Sequence, residues 1–190
     1  MPSGANVLIA TQAIHKHLTA ASFDLIGVLD IDTEFNRPDF RSAQRIFSLL
    51  IRFRQAAKDK VVVQTYNPQN YAIKAADKFD FKLFYKEELA LRKELGFPPF
   101  AHLVAIGLRG VQEAVVFEQA RALYEKLAQY KEDAGEVMDP QPDLIPKLRD
   151  KYRLIIMVKT NKVDRLLAFI RAQLKGFPKK SVIITVNVDP

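Results

Sequence analysis

The segment Gly96-Phe97-Pro98-Pro99-Phe100 constrains this chain more than any other. Glycine closes a helix readily because it adopts the left-handed conformation without a Cβ clash. Proline lacks the backbone donor that a helix interior or an inner strand needs, and it drives the preceding residue out of the helical region. No helix or ladder runs through residues 96–100, so the 190-residue chain is expected to organise separately on either side.

Before this break, three short apolar runs at residues 7–10, 25–29 and 61–64 are rich in Val, Ile and Leu and read as buried strands. Residues 11–18 and 39–57 between them have helical character. In the longer one, Phe40, Ala43, Phe47, Leu50 and Phe53 recur at the spacing of one helix face, and Pro38 suits a helix start. Strand and helix in alternation imply a parallel three-stranded α/β layer, small enough to leave an edge to cover. Residues 71–95 read as two helices broken near Asp80. The spacing of Phe81, Phe84, Tyr85, Leu89 and Leu91 predicts a stripe facing the core.

After the break, residues 101–108 read as a strand, 111–131 as a helix, 135–138 as a short strand, 152–159 as a strand, 163–174 as a helix and 182–188 as a last strand. This β-α-β-β-α-β order is the ferredoxin-like pattern. Residues 139–150 carry Pro140, Pro142 and Pro146, which predicts an ordered loop or a feature at a sheet edge.

Composition narrows the function classes. With 48% apolar residues the chain can bury a core. It has no apolar run near the roughly 20 residues that span a bilayer, and its first residues lack the pattern of a signal peptide. The absence of cysteine excludes disulfides and thiolate zinc sites and fits the cytoplasm. His15, His17 and His102 are too few and too poorly spaced for a metal site, so neither metal nor cofactor is expected. The net charge of +7 is unevenly placed: residues 147–180 hold eleven Lys and Arg against two acids, and residues 41–60 hold six against one. Such clustering favours a polyanionic partner, not a membrane.

Six ordered blocks then carry a resemblance: SGANVLIATQAI, DIDTEFNRPDFRSAQR, VVVQTYNP, FYKEELALRKELGFPPFAHLVAI, DPQPDLIPKLRDKYRLIIMVK and VNVDP. From Gly4 to Pro190 the chain resembles the C-terminal part of the primosomal protein N′ (PriA) family of replication-restart helicases. The resemblance implies that residues 1–66 are a remnant of the second RecA-like motor lobe, 67–96 a helical connector and 97–190 a C-terminal domain of S10-like, ferredoxin-related fold. It also implies DNA, single-stranded-DNA-binding protein and primosome proteins as partners.

The departures from the family pattern are as informative as the matches. The chain contains no GxxxxGKS/T phosphate loop. In the family's GTQ…KG…FP motif it keeps Thr11, Gln12 and Lys16 but has Ala10 and His17 at the glycine positions and Ala20-Ala21 for Phe-Pro. In the QxxGRxGR motif both arginine positions are lost, to Ala56 and Asp59. An arginine finger is worth roughly 10³–10⁵ in rate, so no catalytic residue is assigned. Asp30, Asp32 and Glu34 resemble a metal-binding acidic run but sit where the family has acids in a structural setting.

Binding is what remains. Lys147, Arg149, Lys151 and Arg153 lie at spacing two with Tyr152 between them; an extended strand would put all four cations on one face, where they can meet successive phosphates while Tyr152 stacks on a base. Lys162 and Arg165 would extend this surface, and Arg45, Arg52 and Arg54 would form a second basic patch. The expectation is a non-catalytic module that binds single-stranded or forked DNA without strong sequence preference. The alternative is a protein-interaction or assembly module, with a second copy or a partner strand on the open sheet edge. A third reading, an active ATPase or helicase, is opposed by the missing phosphate loop and motif arginines, and a fourth is that the chain is a piece of a longer protein.

Overall fold

The computed structural model describes residues 7–18, 23–37, 39–130, 135–178 and 181–190, and of residues 15–17 the backbone alone. The expectations for Gly4, Ala20, Ala21 and Pro38, and for the side chains of His15, Lys16 and His17, lie outside the described residues. Two compact units divide the chain, residues 1–90 and 91–190.

The first unit is built on a single amphipathic helix. Its order is a 3-10 turn (Gln12–His17), β1 (Phe23–Val28), α1 (Asp32–Phe35), α2 (Ser42–Ala56), β2 (Ala57–Val63), α3 (Tyr71–Asp77) and the larger part of α4 (Phe81–Leu95). Of the predicted face, Phe47, Leu50 and Phe53 are buried on α2, joined by Ile46 and Ile51, while Ala43 is half-buried and Phe40 precedes the helix. The helix starts at Ser42 instead of 39 because Asp39 closes a turn: its carbonyl accepts the Ser42 N–H (3.0 Å) and its carboxylate the Arg41 N–H (2.8 Å). Ala72, Ala75 and Ala76 give α3 a small face that packs into the same core. The Asn70 side chain caps α3 by accepting the Ala72 N–H at 2.9 Å. The break near Asp80 is found as predicted: Phe79 takes a left-handed conformation (φ 52), and the Asp80 carboxylate accepts the Leu83 N–H at 2.9 Å at the start of α4.

Two expectations fail here. Residues 7–10 form no strand, and among the described residues β1 and β2 make a parallel sheet of two strands instead of three. Apolar composition gives a tendency, but a strand exists only through a ladder, and this segment has none; Val7 and Ile9 are 79% and 93% exposed. The stripe on α4 does not face the core either. Of its five residues only Phe84 is buried, stacked on Phe47 with centroids 4.2 Å apart. Phe84 and Glu88, one turn apart, fill the narrow arc through which α4 touches its neighbours, and the Tyr71 hydroxyl donates to the Glu88 carboxylate. Phe81, Tyr85, Leu89 and Leu91 remain exposed.

The second unit contains β3 (His102–Gly110), α5 (Glu113–Leu127), β4 (Glu136–Val137), β5 (Gln141–Leu148), β6 (Lys151–Thr160), α6 (Val163–Lys175) and β7 (Val182–Val188). The sheet runs β4-β6-β3-β7, with β5 also paired to β6 and every pairing antiparallel. Each strand-helix-strand crossover thus straddles one strand: β3 and β4 flank β6, and β6 and β7 flank β3. Strand alternation sorts the side chains. Val104, Ile106 and Leu108 of β3, with Ile156 and Val158 of β6, join Val116, Ala120, Leu123 and Leu127 of α5 and Leu166 and Ile170 of α6 in one core. The odd-numbered residues of β3 and β6 face the other way. The proline-rich segment is an edge strand: residues 143–146 bulge out opposite Arg153 alone, which lets Pro142 and Pro146 sit at an edge without breaking an inner ladder. Among the described residues no helix is long and apolar enough to cross a membrane.

Gly110 ends β3 where a Cβ would lie 2.9 Å from Val116 Cγ2 and 3.1 Å from the Ser181 carbonyl. Gly110→Ala is expected to cost about 1–3 kcal/mol by overpacking, read as a lowered urea midpoint followed by circular dichroism.

Candidate nucleic-acid interface

The register of β5, β6 and β3 decides which cations meet. Leu148 pairs with Lys151 and Lys147 with Tyr152, leaving Arg149 and Asp150 as a two-residue hairpin loop. Both loop residues have positive φ, 50° and 57°, as a type I′ turn requires. The turn resets the parity of the strand, so the spacing of two does not carry through it. Lys151 and Arg153 share the face turned away from α5 and α6. Lys147 goes to the opposite side, where its Nζ lies 4.8 Å from the centre of the Tyr152 ring. Tyr152 itself packs against the helix-covered core. The expected ridge of four cations is therefore a group of three, Arg149, Lys151 and Arg153, with Lys147 and Tyr152 behind it.

A fourth cation, which the sequence reading passed over, comes from β3. Arg109 pairs directly opposite Arg153 across the β3–β6 ladder. Arg109, Leu148, Arg149, Lys151 and Arg153 line a shallow groove of about 310 Å³. Like charges directly opposite on a sheet disfavour the pairing by roughly 0.2–1 kcal/mol. The Asp143 carboxylate, delivered by the β5 bulge, bridges Arg153 at 2.7 Å and offsets part of that repulsion. An isolated arginine in a strand carries no periodic signal, and only the register reveals Arg109 as a neighbour.

Arg149 adds an observation of its own. A non-glycine residue in the left-handed region costs roughly 1–2 kcal/mol, and a type I′ turn favours Asn or Gly there. The position holds an exposed arginine instead.

Within the second unit, Lys162 and Arg165 do not join this group. Lys162 precedes the first turn of α6 and Arg165 lies in it, both exposed. They follow the far end of β6, roughly 30 Å along the strand from Lys151 at about 3.3 Å per residue. In the first unit Arg45 is engaged internally: it meets Asp39, lies 3.8 Å from Glu34, and donates to Ser42 Oγ at 3.1 Å. Arg52 and Arg54 are exposed but point about 200° apart around α2. Arg54 lines a separate cavity of about 470 Å³ with Lys60, Lys74, Asp59 and Asp77. The acidic run is also committed to internal bonds. Asp32 accepts from the Thr65 hydroxyl (2.8 Å) and the Tyr66 N–H (2.9 Å), Asp30 accepts from the Thr33 hydroxyl (2.6 Å), and Glu34 pairs with Arg37 (3.0 Å).

Taken together, these elements define a two-unit protein: a parallel α/β unit followed by an antiparallel α+β unit with straddling crossovers and a basic groove at its hairpin end. The chain belongs to the family of the primosomal protein N C-terminal domain, whose family profile matches residues 93–190. It is similar over nearly its whole length to replication restart protein PriA of Bacillus subtilis (strain 168), at 30% identity over 98% of this chain and 24% of that protein. Replication restart protein PriA of Thermotoga maritima is 31% identical over 97% of this chain and 25% of its own length. The chain thus spans about a quarter of the length of these curated relatives. A de novo designed protein, Foldit4, aligns with 46% of this chain and 94% of its own at 16% identity and a TM-score of 0.36, too slight a likeness to bear on the fold.

Outside this groove, in the turn before α2, Asp39 has a displaced titration. Burial pushes the Asp39 carboxyl up, but the Arg41 N–H and the Arg45 guanidinium together outweigh it and hold the group below its ordinary 3.8. A depressed carboxylate pKa stabilises the fold above the unfolded value and loses that contribution as pH falls through the folded one. Asp39→Asn is therefore expected to cost up to about 1 kcal/mol at pH 7, since the site is partly solvated. The difference from the parent should shrink below about pH 4, as measured by urea unfolding at both pH values.

Proposed function

We propose that this chain is a non-catalytic DNA-binding module of the replication-restart family, holding backbone phosphates in the groove of Arg109, Arg149, Lys151 and Arg153. The observation that carries this reading is the convergence of four cations from two strands and a turn on one groove, with Asp143 bridging one of them. Phosphate contacts carry no sequence code, so binding is expected to be largely indifferent to sequence. The non-catalytic reading rests on Ala56 and Asp59 at the motif arginine positions. The division into a RecA-like remnant (1–66), a connector (67–96) and a ferredoxin-like domain (97–190) belongs to the same proposal; the strand order β4-β6-β3-β7 supports its last part. Single-stranded-DNA-binding protein and other primosome proteins are proposed partners on the strength of the family resemblance; the relatives' name speaks only of replication restart.

A second reading has its own observation. Leu25 and Leu29, on and just after β1, are exposed together with Val7 and Ile9. An apolar edge of this kind suits assembly with another chain. Light scattering separates the readings: a tight dimer with no affinity for DNA favours assembly.

Fluorescence anisotropy with labelled forked and single-stranded oligonucleotides tests the groove. Affinity is expected to fall steeply between about 50 and about 200 mM salt, each phosphate contact contributing a slope of about 0.7–0.9. Arg149→Gly should weaken binding and lower the salt slope by about one contact while stabilising the hairpin by up to about 1 kcal/mol. Binding that ignores salt, or an Arg149→Gly variant with unchanged affinity, overturns the assignment.

A further inference from the structure

The exposed rings of α4 form a second surface with a chemistry of its own. Phe81, Tyr85 and Leu89 recur at intervals of four along one row of the helix, exposed by 45%, 55% and 40%. Single exposed apolar residues need no explanation, but a contiguous row does. The two rings are held rather than loose. Phe81 packs across Phe47 at 5.1 Å with planes at 89°, and Tyr85 across Phe84 at 5.7 Å with planes at 66°. Lys82 and Lys86 occupy the adjacent row of the helix, and Lys78 precedes it, all exposed. Among nearby acids, the Asp80 carboxylate caps α4, Glu87 lies on a different side of the helix, and Asp77 is exposed.

We infer that this face of α4 is a stacking platform for single-stranded nucleic acid: Tyr85 and Phe81 take unpaired bases while Lys82 and Lys86 take the flanking phosphates. Charge complementarity selects the occupant. A duplex could use the lysines but would leave the rings in water, and an apolar protein partner could use the rings but would gain nothing from the lysines. An unpaired strand uses both, because every base has a π-face and every nucleotide a phosphate. The inference names the strand class that the DNA-binding reading leaves open, but it stands on residues of the first unit alone.

The chain's six tyrosines and lack of tryptophan make tyrosine fluorescence a direct probe. Titration of the full chain with oligo-dT of about 15 nucleotides should quench that fluorescence, within the span of known single-strand sites. Tyr85→Ala is expected to lose about tenfold or more in oligo-dT affinity and most of the quenching, with affinity for a hairpin duplex unchanged; Tyr85→Phe should keep it. Lys82→Gln with Lys86→Gln should lower the single-strand salt slope by about 0.7 per contact. Equal loss on single strand and duplex, or an unchanged ratio of the two, overturns the inference, as does absence of oligo-dT binding. The groove of the second unit fails separately: if Arg149→Gly binds like the parent while Tyr85→Ala loses single strands, the groove reading falls and the α4 platform stands.

Discussion

The antiparallel register between β3 and β6 is the constraint on which the second unit depends. It runs without interruption from His102 opposite Thr160 to Gly110 opposite Tyr152. That one alignment places Val104, Ile106 and Leu108 beside Ile156 and Val158 under both helices, and on the reverse side it sets Arg109 against Arg153. A slip of one residue would turn the apolar set away from the helices and the arginines toward them, so burial of one face fixes the charge geometry of the other. The like-charge pair is then a by-product of a register chosen by the core, tolerated because the β5 bulge brings Asp143 to Arg153.

The first unit is organised differently. Its two-stranded sheet is too small to supply a core by itself. The weight falls on helix packing, with Phe84 stacked on Phe47 and the alanine face of α3 allowing close approach. This explains why α4 fully buries only Phe84 and Glu88, half-buries Leu83, and leaves Phe81, Tyr85, Leu89 and Leu91 outside.

Most of the element pattern was legible in the sequence because it rests on local periodicity. The apolar runs in residues 152–159 and 182–188 and the helical spacing on α2 are short-range signals, and the elements lie within a few residues of expectation. What was not legible depends on partners. Residues 7–10 have the composition of a strand and no ladder; the α4 stripe has the period of a core face and no neighbour wide enough to cover it. Lys147 shows the same limit in the site. Its spacing from Lys151 is even, but a two-residue turn lies between, and the register of the hairpin, not the count along the chain, assigns the face. Arg109 was invisible for the complementary reason, since Arg153, its partner across the ladder, lies more than forty positions away in sequence.

The end of α2 shows how a lost motif is absorbed by a fold. Family resemblance expects arginines at the positions of Ala56 and Asp59. Ala56 is 2% exposed, and α2 passes into β2 at Ala57 with no loop residue between them, the Ala57 N–H donating to the Phe53 carbonyl. A guanidinium at position 56 would have to desolvate in the packing around α2, a cost that a buried charge recovers only with a well-placed partner. Asp59 lies exposed on β2. The segment that would aim two cations at a nucleotide instead joins a helix to a strand, and nothing in its geometry leaves room to restore the first of them without unpacking the α2 core. The cations that do converge in this chain are held by the second unit, where Arg109 and Arg149 stay exposed and the half-buried Arg153 is met by Asp143.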